Sequence, residues 1–231
     1  MSAEFRSMSL DDRLDPTNLK LADGAFVALV GPNGSGKTSL LRAMAGIAGD
    51  AESRTIDGSP LPIRQPARRA RLIGLMPAAR ALAWPIPVRD LLALSPAPVA
   101  RDRIDQLVER LELGGLLDRP SNQLSTGERA RVVLARTLAS DPRLLLLDEP
   151  LANLDPYWAL SIVDLLTDEA RSGKMIVAAM HDFALSRRFD RLLLMQEGRL
   201  VLDGPPSEMM RKERFSAVFR LTPEGEGWRP A

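Results

Sequence analysis

The sequence predicts an α/β fold, with a core made of a mostly parallel sheet and flanking helices, and with an inserted α-helical subdomain. Short apolar runs of strand length alternate along the chain with longer stretches that have helical spacing. The stretch from 77 to 139 interrupts this alternation and contains no strand pattern. We therefore predict an α/β core formed by residues 1–76 and 140–231, and a helical subdomain formed by residues 77–139.

The N-terminal half contains four recognisable elements. The first is a continuous apolar run that predicts a buried strand, and it is followed by a stretch with apolar residues on one helical face. A second strand pattern follows, and then a second helical pattern that ends at Gly114 and Gly115. In chain order these elements cover residues 25–30, 37–47, 71–75 and 101–113.

The C-terminal half adds further strands. Apolar runs at 144–147 and 175–180 predict two more buried strands, and a helical run covers 129–139. Residues 192–195 and 200–202, separated by a turn at Glu197 and Gly198, predict a hairpin. We expect the tail after Gly225 to be frayed.

Composition and charge exclude several classes of function. The chain has 231 residues, of which 45% are hydrophobic and 26% charged, as in ordinary soluble globular proteins. Because 31 basic and 30 acidic residues nearly cancel, no overall field attracts nucleic acid, and we expect no nucleic-acid partner. Without cysteine and with one histidine, the chain has no disulfide, no thiolate metal site and no site that needs two imidazoles.

The sequence offers no segment that would cross or enter a membrane. Its apolar runs are far shorter than the roughly 20 residues that a spanning helix needs. The N-terminal region is charged and lacks the apolar stretch of a signal peptide. We expect a cytosolic chain that reaches a membrane only through a partner.

Residues 31–38 match G-x-x-x-x-G-K-[ST], the pattern of a phosphate-binding loop between a strand and a helix. Gly34 and Gly36 allow positive φ, so that successive N–H groups converge on phosphate oxygens. Lys37 supplies a positive charge for the β- and γ-phosphates, and Thr38 a hydroxyl for Mg²⁺. The purely structural alternative is a glycine-rich turn with an exposed lysine. The predicted nucleotide contacts are Gly31, Pro32, Asn33, Gly34, Ser35, Gly36, Lys37, Thr38 and Ser39.

An acidic pair follows the apolar run at 144–147. Asp148 is suited to hold Mg²⁺ through its water shell, together with Thr38. Glu149 is suited to accept a proton from an attacking water, so we predict that it is catalytic, together with Lys37. The alternative is a solvated acidic turn after a core strand.

The segment Leu-Ser-Thr-Gly-Glu at 124–128 precedes the helical run at 129–139. Ser125 and Glu128 have the spacing of a capping box, which by itself predicts only a stable helix start. The functional alternative is that Ser125, Gly127 and Glu128 form a second helix N-terminus suited to the γ-phosphate of a nucleotide.

The order of these motifs resembles the ATP-binding subunits of ABC transporters. After the phosphate loop come Leu-Ser-Thr-Gly-Glu, Asp-Glu-Pro at 148–150, Ala-Asn-Leu-Asp at 152–155, and a histidine after an apolar strand. The resemblance implies a P-loop NTPase core of the ABC ATPase type that binds ATP and Mg²⁺. It also implies a head-to-tail dimer, with each ATP between Lys37 of one copy and Ser125 and Gly127 of the other. Asp155 would then be a cross-dimer contact, and His181 a catalytic switch residue at the γ-phosphate.

Three positions depart from the family pattern. Pro77-Ala78 stands where the family usually has Pro-Gln, and Ala78 has no oxygen for Mg²⁺ or water. Thr126 replaces a glycine of the signature. Many members stack adenine on an aromatic residue upstream of the phosphate loop, where this chain has Arg13. We predict that Arg13 places its guanidinium plane on the base, with a solvated charge as the alternative.

The closing pattern at 204–219 looks most like importers of cobalamin, ferric siderophores or haem. The resemblance implies an integral membrane permease as partner and, indirectly, a periplasmic or extracellular binding protein. The chain would lie peripherally at the cytoplasmic face of the inner membrane. Trp84, beside two prolines, is the predicted docking surface, unless its ring packs under its own loop.

Two other functions stay open. One is a soluble ABC-type ATPase that takes no part in transport. The other is a regulatory module that binds ATP with little hydrolysis, which Ala78 favours and Glu149 opposes.

Overall fold

A computed structural model describes residues 2–79, 82, 84–94, 99–224 and 227–231 of the chain. The strands are β1 (Ser2–Leu10), β2 (Leu14–Ala22), β3 (Phe26–Val30), β4 (Ser53–Ile56), β5 (Ser59–Pro60), β6 (Ile73–Met76), β7 (Leu144–Asp148), β8 (Met175–Ala179), β9 (Arg191–Gln196), β10 (Arg199–Gly204), β11 (Leu221–Glu224) and β12 (Gly227–Pro230). The α-helices are α1 (Lys37–Met44), α2 (Pro66–Leu72), α3 (Val88–Ala93), α4 (Arg101–Arg110), α5 (Thr126–Ala139), α6 (Pro156–Arg171), α7 (Phe183–Ser186), α8 (Pro206–Met209) and α9 (Glu213–Phe219).

The central sheet has six strands in the order β10-β9-β3-β8-β7-β6. All neighbouring strands are parallel except β10, which returns antiparallel to β9. Every residue of β3, β7 and β8 is buried, as their continuous apolar sequences predict for strands covered on both faces. Because these three strands are parallel, their carboxyl ends lie at one edge of the sheet, where the predicted site residues follow them.

Two hydrophobic clusters cover the two faces of this sheet. Along β3, Ala28 and Val30 belong to one cluster, whereas Val27 and Leu29 belong to the other, as the period of two in a strand requires. The first cluster includes residues of α5 and α6, and the second includes residues of α1 and β1. The central sheet therefore lies between two apolar layers.

A second, antiparallel sheet in the order β2-β1-β4-β5 was not predicted. In β1 the alternation of buried and exposed residues breaks at a register shift between Phe5 and Met8, where Ser7 has φ 48°. In β2 the sequence begins Leu-Asp-Pro, which reads as a turn. Because of these local irregularities, regular alternation does not predict these two nine-residue strands.

The predicted strands and the hairpin of β9 and β10 are present, with small shifts at their ends. The strand expected at 71–75 begins at Ile73, because α2 occupies the residues before it. The helix expected at 101–113 ends at Arg110 and is followed by a short 3₁₀ turn at Gly114–Leu116. The expectation of a frayed tail is wrong, since Gly227–Pro230 pairs with Leu221–Glu224.

Between 77 and 139 the described residues form α3, α4, α5 and two 3₁₀ turns, with a single isolated bridge between Pro87 and Pro120. The side chains of Val88 and Leu107 lie in the same hydrophobic cluster as Leu145 of β7. The helical segment therefore packs directly on the sheet, and its division from the core at 77–139 stays our proposal. No described helix has the length and apolar character required to cross a bilayer.

Candidate nucleotide site

The phosphate loop connects β3 to α1 in a conformation that needs glycine. Gly34 has φ 78°, and Gly36, which precedes the first residue of α1, has φ 101°. A Cβ at Gly36 would lie 2.8 Å from the carbonyl oxygen of Arg13, so the loop is closely packed there. The backbone thus has the tight turn that the sequence pattern predicted.

Lys37 lies inside this loop and is 7% exposed, which excludes the alternative of a solvated lysine. Its ammonium donates hydrogen bonds to the carbonyl oxygens of Gly31 at 2.7 Å and Pro32 at 3.1 Å. Burial lowers the pKa of Lys37, and the negative charges of Glu149 and Asp148 oppose that shift. A buried cation beside a turn of N–H groups is suited to hold a polyphosphate.

Hydrogen-bonding groups at the amino end of α1 are available to bind a ligand. No side chain caps the helix at Gly36. The hydroxyl of Ser35 is buried and has no hydrogen-bond partner among the described residues. Ser39, one turn further, is also buried. The chemistry of this loop therefore fits an anion such as the phosphate chain of ATP.

Thr38 and Asp148 meet at the carboxyl end of β7. The Thr38 hydroxyl donates a hydrogen bond to Asp148 Oδ2 at 2.8 Å, and Asp148 is 4% exposed. Mg²⁺ prefers oxygen ligands and keeps several waters when it binds a nucleotide phosphate. A hydroxyl and a carboxylate within contact of each other, beside the phosphate loop, fit that ion.

Glu149 and His181 form a second polar pair at the same edge of the sheet. Glu149 Oε1 lies 3.1 Å from His181 Nε2, so Nε2 carries the hydrogen and the carboxylate accepts. Glu149 has φ 54°, which is uncommon for a residue with a side chain, and its N–H donates to the Ala179 carbonyl at 3.0 Å. This backbone bond holds the carboxylate beside the end of β8, and Glu149 is partly exposed.

The helix α5 begins with the predicted capping box. The Ser125 hydroxyl accepts from the Glu128 N–H at 3.3 Å, and Glu128 accepts from the Ser125 N–H at 2.7 Å. The hydrogen bond from the Ser125 N–H is the main cause of the lowered pKa of Glu128, which also pairs with Arg119 at 2.8 Å. The polar contacts of Ser125 and Glu128 thus lie within their own segment and not on the phosphate loop.

Gly127 has no internal reason to be glycine. A Cβ at this position would meet only Leu154 Cδ2, at an ordinary contact distance of 3.7 Å, and its φ is not positive. Glycine inside a helix lowers the stability of the helix by about 1 kcal/mol relative to alanine. A helix start that carries this cost at a position where a Cβ would fit favours close approach of another molecule.

Three further predicted residues have defined positions. Arg13 ends the turn between β1 and β2, is exposed, and its backbone contacts Gly36 and Gly198 beside the phosphate loop. Asp155 caps α6 by accepting from the Trp158 N–H at 3.0 Å. Ala78 is exposed just after β6.

Trp84 does not pack under its own loop. Its side chain is 79% exposed, whereas its carbonyl oxygen accepts from the Ser121 hydroxyl at 2.6 Å and from the Ile86 N–H at 2.9 Å. The backbone therefore fixes the loop and leaves the indole free for contact. Leu94, at the end of α3, is also 55% exposed.

The sequence analysis missed one group of residues at the phosphate loop. A cavity of about 560 Å³ has Pro32–Ser35 on one side and residues of α9, including Phe219, on the other. The only sequence signal was the closing pattern at 204–219, which was used for its resemblance and not for its position.

Known proteins share this sequence pattern. The family described as ABC transporter matches residues 14–152. The hemin import ATP-binding protein HmuV of Streptomyces coelicolor is 37% identical over 216 residues, which cover 89% of this chain and 77% of that protein. The protein of the same name from Rhizobium meliloti is 37% identical over 218 residues, covering 87% of this chain and 83% of that protein.

Solved structures share the fold. The protein cbiO1 from Clostridium perfringens, part of the ABC transporter complex cbiONQ, has a TM-score of 0.76 and 25% identity, with 94% of each chain covered. A dimeric ATP-binding cassette in a post-hydrolysis state, bound to ADP and Pi, has a TM-score of 0.77 and 23% identity. That match covers 89% of this chain and 99% of the other.

Proposed function

Because this chain belongs to the ABC transporter family, it is an ATPase of that family, and we propose that it powers import of a metal chelate through a separate membrane permease. The chelate is haem, an iron-siderophore or cobalamin, and the names of the hemin import relatives favour haem. The ATPase assignment rests on one observation. The buried Lys37 lies close enough to Asp148 and Glu149, at one edge of the sheet, to interact with their charges.

In this proposal the phosphate loop binds and orients the nucleotide. The backbone N–H groups of the loop and of the first turn of α1 surround the phosphates, Pro32 excepted because it has no N–H, and Lys37 exchanges its two carbonyl partners for phosphate oxygens. Arg13, from the turn that contacts the loop, covers the base. Thr38 and Asp148 hold Mg²⁺, which when bound neutralises charge that develops on the phosphates.

Glu149 takes the proton from the attacking water. Its carboxylate is partly exposed, so water reaches it, and its backbone bond to Ala179 keeps it in place. His181 donates from Nε2 and so orients Glu149 Oε1 before ATP binds. When a γ-phosphate is present, the same N–H can donate to it, which makes His181 sensitive to the nucleotide state.

The site is incomplete in a single chain. Ser125 and Glu128 make their polar contacts with each other at the start of α5, and Gly127 lies in this first turn without a packing reason to be glycine. We propose that a second copy, packed head to tail, supplies this helix start to the γ-phosphate, with Asp155 at the same seam. ATP would then close the dimer, and hydrolysis would release it.

Transport needs further partners. The exposed indole of Trp84 is the candidate contact with an integral membrane permease, which would hold the chain at the cytoplasmic face of the inner membrane. A periplasmic or extracellular binding protein would deliver the chelate to that permease. The chelate itself does not touch this chain.

The experiment is steady-state phosphate release by the purified chain and by Glu149→Gln. Loss of a general base typically lowers kcat by about 10²- to 10⁴-fold. We expect this fall in Glu149→Gln with ATP binding retained, and normal turnover in Glu208→Gln, the same chemical change on an exposed residue of α8.

The outcomes separate the alternatives. A wild-type chain that binds ATP without releasing phosphate would be the regulatory module that Ala78 favours. Normal release by Glu149→Gln would refute the role of Glu149 as base. Copurification with an integral membrane protein distinguishes the transporter subunit from an ABC-type ATPase without a transport function, and uptake of labelled haem or cobalamin by cells identifies the chelate.

A further inference from the structure

An aromatic cluster joins the C-terminal end of the chain to the segment that carries His181. The ring centroid of Phe183 lies 4.6 Å from that of Phe219 and 5.2 Å from that of Phe215. Trp228 completes the cluster, 5.3 Å from Phe215 and 6.4 Å from Phe183. The offset and edge-on arrangements of these rings are the favourable ones for aromatic pairs.

His181 lies between the end of β8 and the short helix that carries Phe183. Its own side chain is 45% exposed, so packing around the imidazole does little to fix it. The helix that follows, α7, has only four residues and cannot be stable without tertiary contacts. Its anchors include the Asp182 carboxylate, which accepts from the Leu185 N–H at 2.9 Å, and the ring of Phe183, two positions after the histidine. Beyond the helix, Phe189 stacks on Phe26, and before His181 the Met180 N–H donates to the Leu29 carbonyl at 3.0 Å.

The C-terminal hairpin depends on the same rings. Within the part of the chain that the structure describes, strands β11 and β12 pair with each other alone and form a separate two-stranded sheet. Such a hairpin is at best marginally stable alone. Trp228, the partly buried aromatic residue of β12, contacts the cluster, and the Ala231 N–H donates to the Arg220 carbonyl at 3.0 Å. Removal of the indole would therefore release the hairpin.

The same C-terminal residues border the phosphate loop. Phe219 belongs to the aromatic cluster and also lines the cavity of about 560 Å³ whose other side is formed by Pro32–Ser35. One side chain thus contacts the segment of the switch histidine and borders the phosphate loop.

We propose that the C-terminal unit, defined as α9 with β11 and β12, positions His181 for catalysis. Phe219 and Trp228 hold Phe183, and Phe183 keeps His181 Nε2 within hydrogen-bond reach of Glu149 and of a γ-phosphate. None of these aromatic residues touches the reacting atoms, so they are positioning residues. The inference rests on the proposed roles of Glu149 and His181, and it adds an internal element that sets their geometry.

Substitutions in the cluster test this role. In Trp228→Ala and Phe219→Ala we expect kcat to fall about 10- to 100-fold, because small displacements of a reacting group are costly. The KM for ATP should stay within about threefold in Trp228→Ala, since Trp228 does not line the cavity at the phosphate loop. Trp228→Phe keeps an aromatic ring and should recover most of the rate. Arg229→Ala, the exposed neighbour whose charge lies 3.9 Å from Glu224, should not change either constant.

A spectroscopic measurement covers the case in which an alanine variant fails to fold. Trp84→Phe with Trp158→Phe leaves Trp228 as the sole indole of the three in the chain. We expect ATP to change the emission of Trp228, and we expect the additional change Phe183→Leu to remove that response while ATP still binds. Unchanged emission on ATP binding would overturn the proposal.

The kinetic outcomes are equally decisive. If folded Trp228→Ala and Phe219→Ala release phosphate at the wild-type kcat, the C-terminal unit does not position His181, although the proposed function stands. If KM rises while kcat is unchanged, the unit affects binding only, and the proposal is wrong. A wild-type chain without phosphate release would instead refute the proposed function itself.

Discussion

Lys37 is buried, and its ammonium is satisfied by two backbone carbonyls. Burial lowers its pKa, against the opposing effect of Glu149 and Asp148. Phosphate oxygens would replace the carbonyl partners and raise the pKa again, because they bring negative charge to the ammonium. Nucleotide binding and protonation of Lys37 are therefore linked.

This linkage predicts a pH dependence of ATP affinity. As pH rises through the lowered pKa of Lys37, below the ordinary lysine value of about 10.4, the free site loses its charge and binding must take up a proton. We expect ATP affinity to fall in this window, measured by calorimetry in buffers with different ionisation enthalpies. Lys37→Arg keeps its charge and should bind without proton uptake. Equal affinity of the wild-type chain across the window would contradict the linkage.

The lowered pKa of Lys37 also makes the free energy of unfolding depend on pH. Between the lowered folded pKa and the ordinary value, the unfolded chain binds more protons at Lys37 than the folded chain does. The contribution of Lys37 to the free energy of unfolding therefore rises with pH in that window, while ATP affinity falls. The lysine is placed for phosphate binding at some cost to the stability of the nucleotide-free fold.

At the scale of one element, α5 combines two roles at its first turn. Ser125 caps the helix through the Glu128 N–H, and the same hydroxyl is proposed to reach a γ-phosphate in a second copy. Substitutions can separate the two, because aspartate caps a helix about as well as serine does but carries a negative charge.

We predict that Ser125→Ala lowers the free energy of unfolding by about 1 kcal/mol through loss of the cap. Ser125→Asp should keep the stability and still lose ATP-driven association, since its carboxylate repels the phosphate. Urea unfolding measures the first effect and light scattering with ATP the second. If Ser125→Asp associates like the wild type, Ser125 is a helix cap only.

The sequence predicted the central sheet because β3, β7 and β8 are continuous apolar runs, and it predicted the phosphate loop because glycine and lysine occur there at fixed spacing. It did not predict β1, whose alternation breaks at the bulge near Ser7, or β12, which is held by Trp228 and not by its own propensity. The pairing of Glu149 with His181 depends on the neighbouring positions of β7 and β8, which no local pattern contains.

At the scale of the molecule, a buried ionic cluster links the helical segment to the core. Glu169 of α6 accepts from Arg103 of α4 at 2.6 Å and from Lys174, which also pairs with Asp141. The Glu169 side chain is only 7% exposed. Removal of the carboxylate would take this partner from the largely buried Arg103, while Lys174 would keep Asp141. Removing one member of a buried ion pair is strongly destabilising, because the other charge stays buried.

We predict that Glu169→Ala lowers the free energy of unfolding by about 3–5 kcal/mol. The neighbouring Asp168→Ala is the matched control, because Asp168 pairs with Arg110 at 2.8 Å while both side chains are half exposed. That change should cost less than about 1 kcal/mol. Equal effects of the two substitutions in urea unfolding would show that the cluster around Glu169 does not join α4 to α6.

The exposed surface at Trp84 allows a test of the proposed contact with a permease. Because the indole is 79% exposed, Trp84→Ala should leave the free energy of unfolding within about 0.5 kcal/mol. Uptake by the transporter reconstituted with its permease should fall severalfold. Arg89→Glu is a less clear test, since Arg89 also pairs with Asp118. Full uptake by Trp84→Ala would remove this surface from the contact.

The central claim is that two copies of this chain enclose ATP between them, because one chain alone leaves Ser125 and Gly127 away from the phosphate loop. Light scattering of Glu149→Gln with ATP and Mg²⁺ tests it most directly. The account predicts a species of twice the single-chain mass that contains two ATP molecules, and that returns to the single-chain mass when Ser125→Asp is added. A species of single-chain mass saturated with ATP would contradict the account.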